Sequence, residues 1–327
     1  MTDSDNATTA GGVTAAPGRA AVPAPSAASA TRRTARRLAG PGFALGALGI
    51  LGFSFSLPAT RLAVAGLDPW LVAFGRAAVA AALAAVYLRA TRAPRPGREH
   101  ARSLLVVAGG VIVGFPLFTS LALEGETAAH GAVVIGALPA ATAVAAVARA
   151  GERPSRAFWA ASAAGLVAVL AFLAASAGAG LRSAGPQTED LYLLAGTALC
   201  AIGYAEGGAL SRDLGGPRTI CWALVASAPV TAAVAAAAAV ASDPAQAGPT
   251  AWLGFAYVSA ISMFLGFFAW YAGLARGGVA RVGQVQLAQP VLTLGWSALL
   301  LGEPVGPGTV VAALAVLACV AATQRAR

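Results

Sequence analysis

Few residues in this sequence can do chemistry, and each stands among apolar neighbours. Glu206 lies in CAIGYAEGGAL, Arg76 in WLVAFGRAAVAAAL, and His130 follows Glu124 and Glu126. A carboxylate among apolar residues can take up and release a proton, which makes Glu206 a candidate coupling group; snorkelling toward Arg212 is the competing use. Gln284, Gln286 and Gln289 form a second group. Gln286 and Gln289, three residues apart, share a helix face. Their amides both donate and accept, as recognition of a polar or zwitterionic small molecule requires. The alternative is helix–helix hydrogen bonding. Tyr204 and Trp270, with Phe53 and Tyr271, are candidates for an aromatic wall against such a ligand, although interfacial belts use the same residues. His130 is either a pH-sensitive group at an outer gate or an ordinary interfacial histidine.

Other chemistries have little to work with. Cys200, Cys221 and Cys319 each stand alone in apolar runs, and no Cys/His spacing suits a metal. No GxxxxGK[ST] loop offers a nucleotide site. A multi-pass membrane enzyme would need convergent acid, base or metal ligands, and the chain supplies one embedded Glu and one marginal His. No cofactor is expected.

The setting of these residues is a membrane. Of 327 residues, 58% are hydrophobic and 11% charged, and mean hydropathy is +0.73. Soluble domains carry about 25% charged residues. Ten stretches are long and apolar enough to span: 42–65, 69–90, 102–123, 127–149, 156–177, 189–211, 218–241, 250–274, 279–301 and 306–323. Residues 1–40, rich in Ala, Pro, Ser and Thr, read as a disordered cytoplasmic tail. All 22 basic residues are arginine. With the N-terminus inside, nineteen fall on the inner side, Arg61 and Arg182 outside, and Arg76 within a span. That bias predicts ten helices with both termini cytoplasmic, and it makes nucleic-acid binding an unneeded explanation of the net charge of +9. Arg76 and Glu206 come out about 15 Å apart in depth, so no ion pair between them is expected.

The halves repeat. At an offset of 151 residues, Gly52-Phe53 matches Gly203-Tyr204, Arg61 matches Arg212 and Leu123 matches Leu274; Trp70 matches Trp222 with one gap. Pro139 and Glu152 recur as Pro290 and Glu303, with a glycine before each Glu. Five spans per copy is odd, so the second copy enters from the opposite side. The prolines fall about 18 Å and 16 Å into their spans, near the middle of an approximately 30 Å core. Each lacks the N–H owed to the carbonyl four residues earlier, a defect tolerated beside a cavity. Paired interruptions in inverted halves mark transporter binding sites. Glu152 and Glu303, each after a helix-stopping glycine, read as structural charges at the interface.

Ten spans, a five-plus-five repeat and the Pro-x12-Glu ending of the fourth and ninth spans resemble the drug/metabolite transporter superfamily, specifically its EamA type. The resemblance covers residues 41–323, as repeats over 41–178 and 188–323. It implies an all-α inverted-repeat fold in the cell membrane and alternating-access movement of a small metabolite, usually outward. The cargo implied is an amino acid, a related metabolite or a toxic compound. Power would come from a proton gradient or from exchange. Import by the same fold is the runner-up. Only Pro139, Glu152, Pro290 and Glu303 carry over from the family pattern, as structural landmarks.

Overall fold

The computed structural model describes residues 41–150, 155–178, 187–277 and 283–325. Among them every regular element is helical. Seven stretches are long and apolar enough to cross a membrane: Pro41–Val64, Pro69–Ala90, Arg98–Gly125, Ala128–Ala148, Thr188–Leu214, Gly216–Ser242 and Pro249–Gly273. Shorter apolar stretches, Trp159–Ala168, Gln289–Leu301 and Pro307–Cys319, lie where the fifth, ninth and tenth spans are expected. The surface is apolar, as lipid demands: Val86, Leu105, Val240, Leu253 and Leu299 are all exposed.

Several expected spans are broken rather than continuous. The first comprises α1 (Pro41–Ser54) and α2 (Ser56–Val64), separated at Phe55. Helix α3 (Pro69–Ala90) is unbroken, with Asp68 accepting from the Leu71 N–H at its start. The third span joins α4 (Ala101–Val107) to α5 (Phe115–Gly125) through a π-helical segment, Ala108–Gly114. The fourth divides into α6 (Ala128–Ile135) and α7 (Leu138–Ala150). Next come α8 (Arg156–Gly178), α9 (Thr188–Leu214) and α10 (Gly216–Ser242). Gly215, at φ +82°, makes the tight turn between α9 and α10. The eighth span joins α11 (Pro249–Tyr257) to α12 (Gly266–Gly277) through a second π segment, Val258–Leu265. The ninth is a 3-10 stretch, Gly283–Ala288, followed by α13 (Gln289–Leu301); α14 (Pro307–Arg325) ends the described chain.

The breaks obey the 151-residue offset. The two π segments are repeat equivalents, as are the interruptions ahead of Pro139 and Pro290. Packing follows the same rule. Helix α3 packs on its equivalent α10, α8 on α14, and α6 on α13. The α1–α12 and α2–α11 contacts match those of α9 with the third span, and α7–α9 matches α13–α1. Exchanging the halves therefore leaves the helix-pairing scheme unchanged.

Small residues allow these approaches. A Cβ on Gly273 would lie 2.9 Å from the Gly42 carbonyl oxygen and the Gly46 Cα, and one on Gly110 would lie 3.1 Å from the Gly203 Cα. The glycine spacings at Gly42/Gly46, Gly110/Gly114 and Gly203/Gly207 are thus helix contacts. Two buried clusters result. One gathers Leu71, Leu123, Val133 and Leu193; the other gathers Ile50, Leu88, Ile220 and Tyr271. By helix position they occupy opposite ends of the bundle.

Candidate transport cavity

Two adjoining cavities share Leu57, Ile135, Leu138 and Gln289 in their linings. One is bordered by Ile135, Gly136, Pro139, Gln286, Gln289 and Pro290, together with Thr293. The two proline breaks, one from each half, thus meet at one space. Neither proline sits inside a continuous helix: Pro139 is the second residue of α7 and Pro290 the second of α13, where a missing N–H is harmless. The second cavity is bordered by Phe53, Arg76, Phe115, Tyr204, Ser262 and Gln289 among others.

Backbone opened near the cavities is satisfied by side chains. Pro58 offers no N–H to the Ser54 carbonyl four residues earlier. The Thr293 hydroxyl lies 2.7 Å from that oxygen, and Tyr257 donates to the Gly52 carbonyl at 2.9 Å. Trp296 Nε1 donates to Ser54 Oγ at 3.0 Å. The break at Phe55 is therefore held by groups from the eighth and ninth spans, as the lack of water in a membrane requires.

Of the sequence candidates, Gln289 borders both cavities, Gln286 is buried on the first, and Tyr204 lines the second. Phe53 stands 4.9 Å centroid to centroid from Phe267, which lies 6.2 Å from Tyr204, so an aromatic wall does exist. Trp270 is not part of it. At 3% exposure it is neither belt nor wall: its backbone packs where a Cβ on Gly49 would come within 2.9 Å. Tyr271 is likewise buried, filling the space left by Gly207 and Gly216. Glu206 is buried too, but it accepts from the Ser103 hydroxyl on α4 and lines neither cavity.

His130 corrects the interfacial reading. It is buried, its Nε2 lies 2.9 Å from Asp190 Oδ1, and Glu126 stands 3.9 Å from Nδ1. Asp190 was missed because it reads as an ordinary acid in the first turn of α9. Arg61 caps a helix, donating to the Leu123 and Glu124 carbonyls at the end of α5. Glu303 caps another: its two oxygens accept from Ala128 N and Ala129 N, both at 2.9 Å. Glu152 lies outside the described residues, as do residues 1–40 and the Gln284 side chain.

Arg76 is the cavity residue that sequence reasoning left without a role. It is 3% exposed, in the first half of α3, and Nη2 donates to Ser262 Oγ at 3.0 Å. Ser262 in turn shares a 2.7 Å hydrogen bond with Ser56. A single intramembrane arginine was the available signal; the two serines gave none.

The wall is uneven across the repeat. Phe53 opposes Tyr204 in the alignment, Val111 opposes Ser262, Ile135 opposes Gln286 and Leu138 opposes Gln289. In each pair the second copy supplies the polar group.

Comparison with known proteins agrees with this architecture. The EamA-like transporter family matches the chain twice, over residues 40–174 and 187–323. A Bacillus subtilis (strain 168) protein named "Uncharacterized transporter YdeK" is 48% identical over 284 residues, spanning 87% of this chain and 97% of its own. A solved crystal structure superposes with a TM-score of 0.59 at 19% identity, covering 86% of this chain and 97% of the other; that likeness concerns the fold alone. The doubled match, the relative and the all-helical repeat place this chain in the EamA-like transporter family of the drug/metabolite transporter superfamily, as a multi-pass membrane protein.

Proposed function

We propose that the chain is a secondary-active exporter of a small organic metabolite, working by alternating access around the paired cavities. In this reading ten helices form two inverted repeats, 41–178 and 188–323, in the plasma membrane with both termini cytoplasmic. The observation that carries it is the meeting of Pro139 and Pro290, from equivalent breaks in the two halves, at one mid-bundle cavity. A packing scheme unchanged by exchange of the halves supports rocking of one against the other. Gln289, Gln286 and Tyr204 bind the cargo, and proton coupling or exchange drives it, with Glu206 as the coupling candidate.

The test is untargeted metabolite profiling of the medium of cells expressing the wild type or Gln289→Ala at matched membrane levels. The expected result is a metabolite that accumulates outside with the wild type and several-fold less with the variant. Media indistinguishable from those of vector-only cells would overturn export. A metabolite depleted from the medium by the wild type would reverse the direction to import.

A further inference from the structure

We infer that Arg76 forms an anion subsite, and that the cargo is a compact organic carboxylate. This deepens the transport reading and rests on it.

The guanidinium has five N–H donors in a fixed fork that suits a carboxylate. One of its nitrogens donates to Ser262 Oγ. Arg76 Nε is fully buried without a hydrogen-bond partner, and among the described residues no Asp or Glu forms an ion pair with Arg76. Its setting is therefore an uncompensated cation within a membrane bundle, aimed into a cavity. Such a charge is costly unless something neutralises it. Serine hydroxyls carry no charge to do so.

Folding does not explain the residue either. The alignment that pairs Trp70 with Trp222 places Ala228 opposite Arg76. The second half thus builds the same helix around alanine. Ser262, the partner of Arg76, lies in the π segment Val258–Leu265, a distortion that tends to mark functional sites. Its counterpart Val111, in the equivalent π segment, is apolar. Both departures from the repeat converge on one point, and both favour negative charge there. Phe53, Phe115, Phe267 and Ile135 line the same cavity and would receive the apolar body of the ligand.

The experiment uses full-length protein purified in detergent, with benzoate, phenylacetate and isovalerate as anionic probes. Benzyl alcohol and benzylamine are the neutral and cationic matches. Thermal melting is recorded against probe concentration. The carboxylates are expected to raise the melting temperature saturably, with apparent affinity at least tenfold above that for the alcohol and amine. Arg76→Gln is expected to weaken carboxylate binding at least tenfold while melting, without probe, at or above the wild type, since it removes an unpaired buried charge. Arg76→Lys retains the charge without the fork and falls between. The anion subsite is overturned if no carboxylate shifts the wild type, if Arg76→Gln binds carboxylates as the wild type does, or if Arg76→Gln without probe melts far below it. That last result would assign the residue to packing. The transport reading is judged separately: export of only neutral or cationic compounds would leave transport standing and remove the anion subsite.

Discussion

Replacing Glu303 by glutamine isolates a cap that joins residues 175 positions apart. The first N–H groups of a helix have no intrahelical acceptor. In α6 the account is complete. Ala128 N and Ala129 N donate to the two Glu303 oxygens, His130 N donates to Thr127 Oγ1 at 3.1 Å, and Gly131 N reaches the Thr127 carbonyl at 3.1 Å. Gly302, at φ +64°, ends α13 and turns the chain so that the carboxylate reaches across. Ala128 and Ala129 are buried, so water has little access to an N–H left open there.

Glutamine keeps one acceptor oxygen and turns a donor toward the other N–H. The loss is one charge-assisted bond, on the order of 1.5–3 kcal/mol, plus the penalty of an open buried donor, roughly 1–3 kcal/mol. Glu303 is only half-buried, so solvent relief reduces the sum. We expect about 1–3 kcal/mol. Thermal melting of the detergent-purified protein should fall by several degrees, at about 2–4 °C per kcal/mol for a chain of moderate size. Glu124→Gln, an exposed acid in the same region, is the control and should leave the melting temperature unchanged. If Glu303→Gln melts within one degree or so of the wild type, the cap is not holding the ends of the fourth and ninth spans together, and the structural reading of the Gly-Glu ending fails.

Three further outcomes are expected. Gly110→Ala should fail to fold or lose more than about 2 kcal/mol, because its Cβ would meet the Leu199 carbonyl oxygen and the Gly203 backbone rather than a movable side chain, whereas Gly208→Ala, with nothing within 4 Å, should gain about 0.5–1 kcal/mol; melting temperatures decide both. Glu206→Gln should abolish transport driven by a pH gradient in proteoliposomes while sparing exchange at equal pH, and unchanged pH dependence would remove Glu206 from the coupling mechanism.

How much of this was legible in sequence depends on the kind of signal. The helical stretches, the repeat and the breaks at Pro139 and Pro290 follow from hydrophobic runs and from the one residue type that cannot donate a backbone hydrogen bond. These are local properties. The site depended on pairs distant in the chain, and sequence spacing carries no information about them. Ser56 and Ser262 meet at 2.7 Å across 206 positions, and Thr293 reaches the Ser54 carbonyl across 239. Each residue alone is an ordinary membrane serine or threonine. Trp270 shows the converse: aromatic character suggests a cavity wall or an interfacial belt, whereas the residue is buried beside Gly49 on another helix, whose missing Cβ admits the Trp270 backbone.

The duplication separates what the fold needs from what the cargo needs. Features kept in both copies, such as the proline breaks and the π segments, belong to the architecture that the two halves share. Features held by one copy are free of that duty. Tyr204, Ser262, Gln286 and Gln289 all belong to the second copy where the first has Phe53, Val111, Ile135 and Leu138, and all border the cavities. Arg76 and Ser56 run against the trend, placing a charge and a hydroxyl on the first half, both within reach of Ser262 on the second. A ligand held by both sets must touch both halves at once. Its binding is therefore sensitive to their relative position, as differential affinity between two conformations requires.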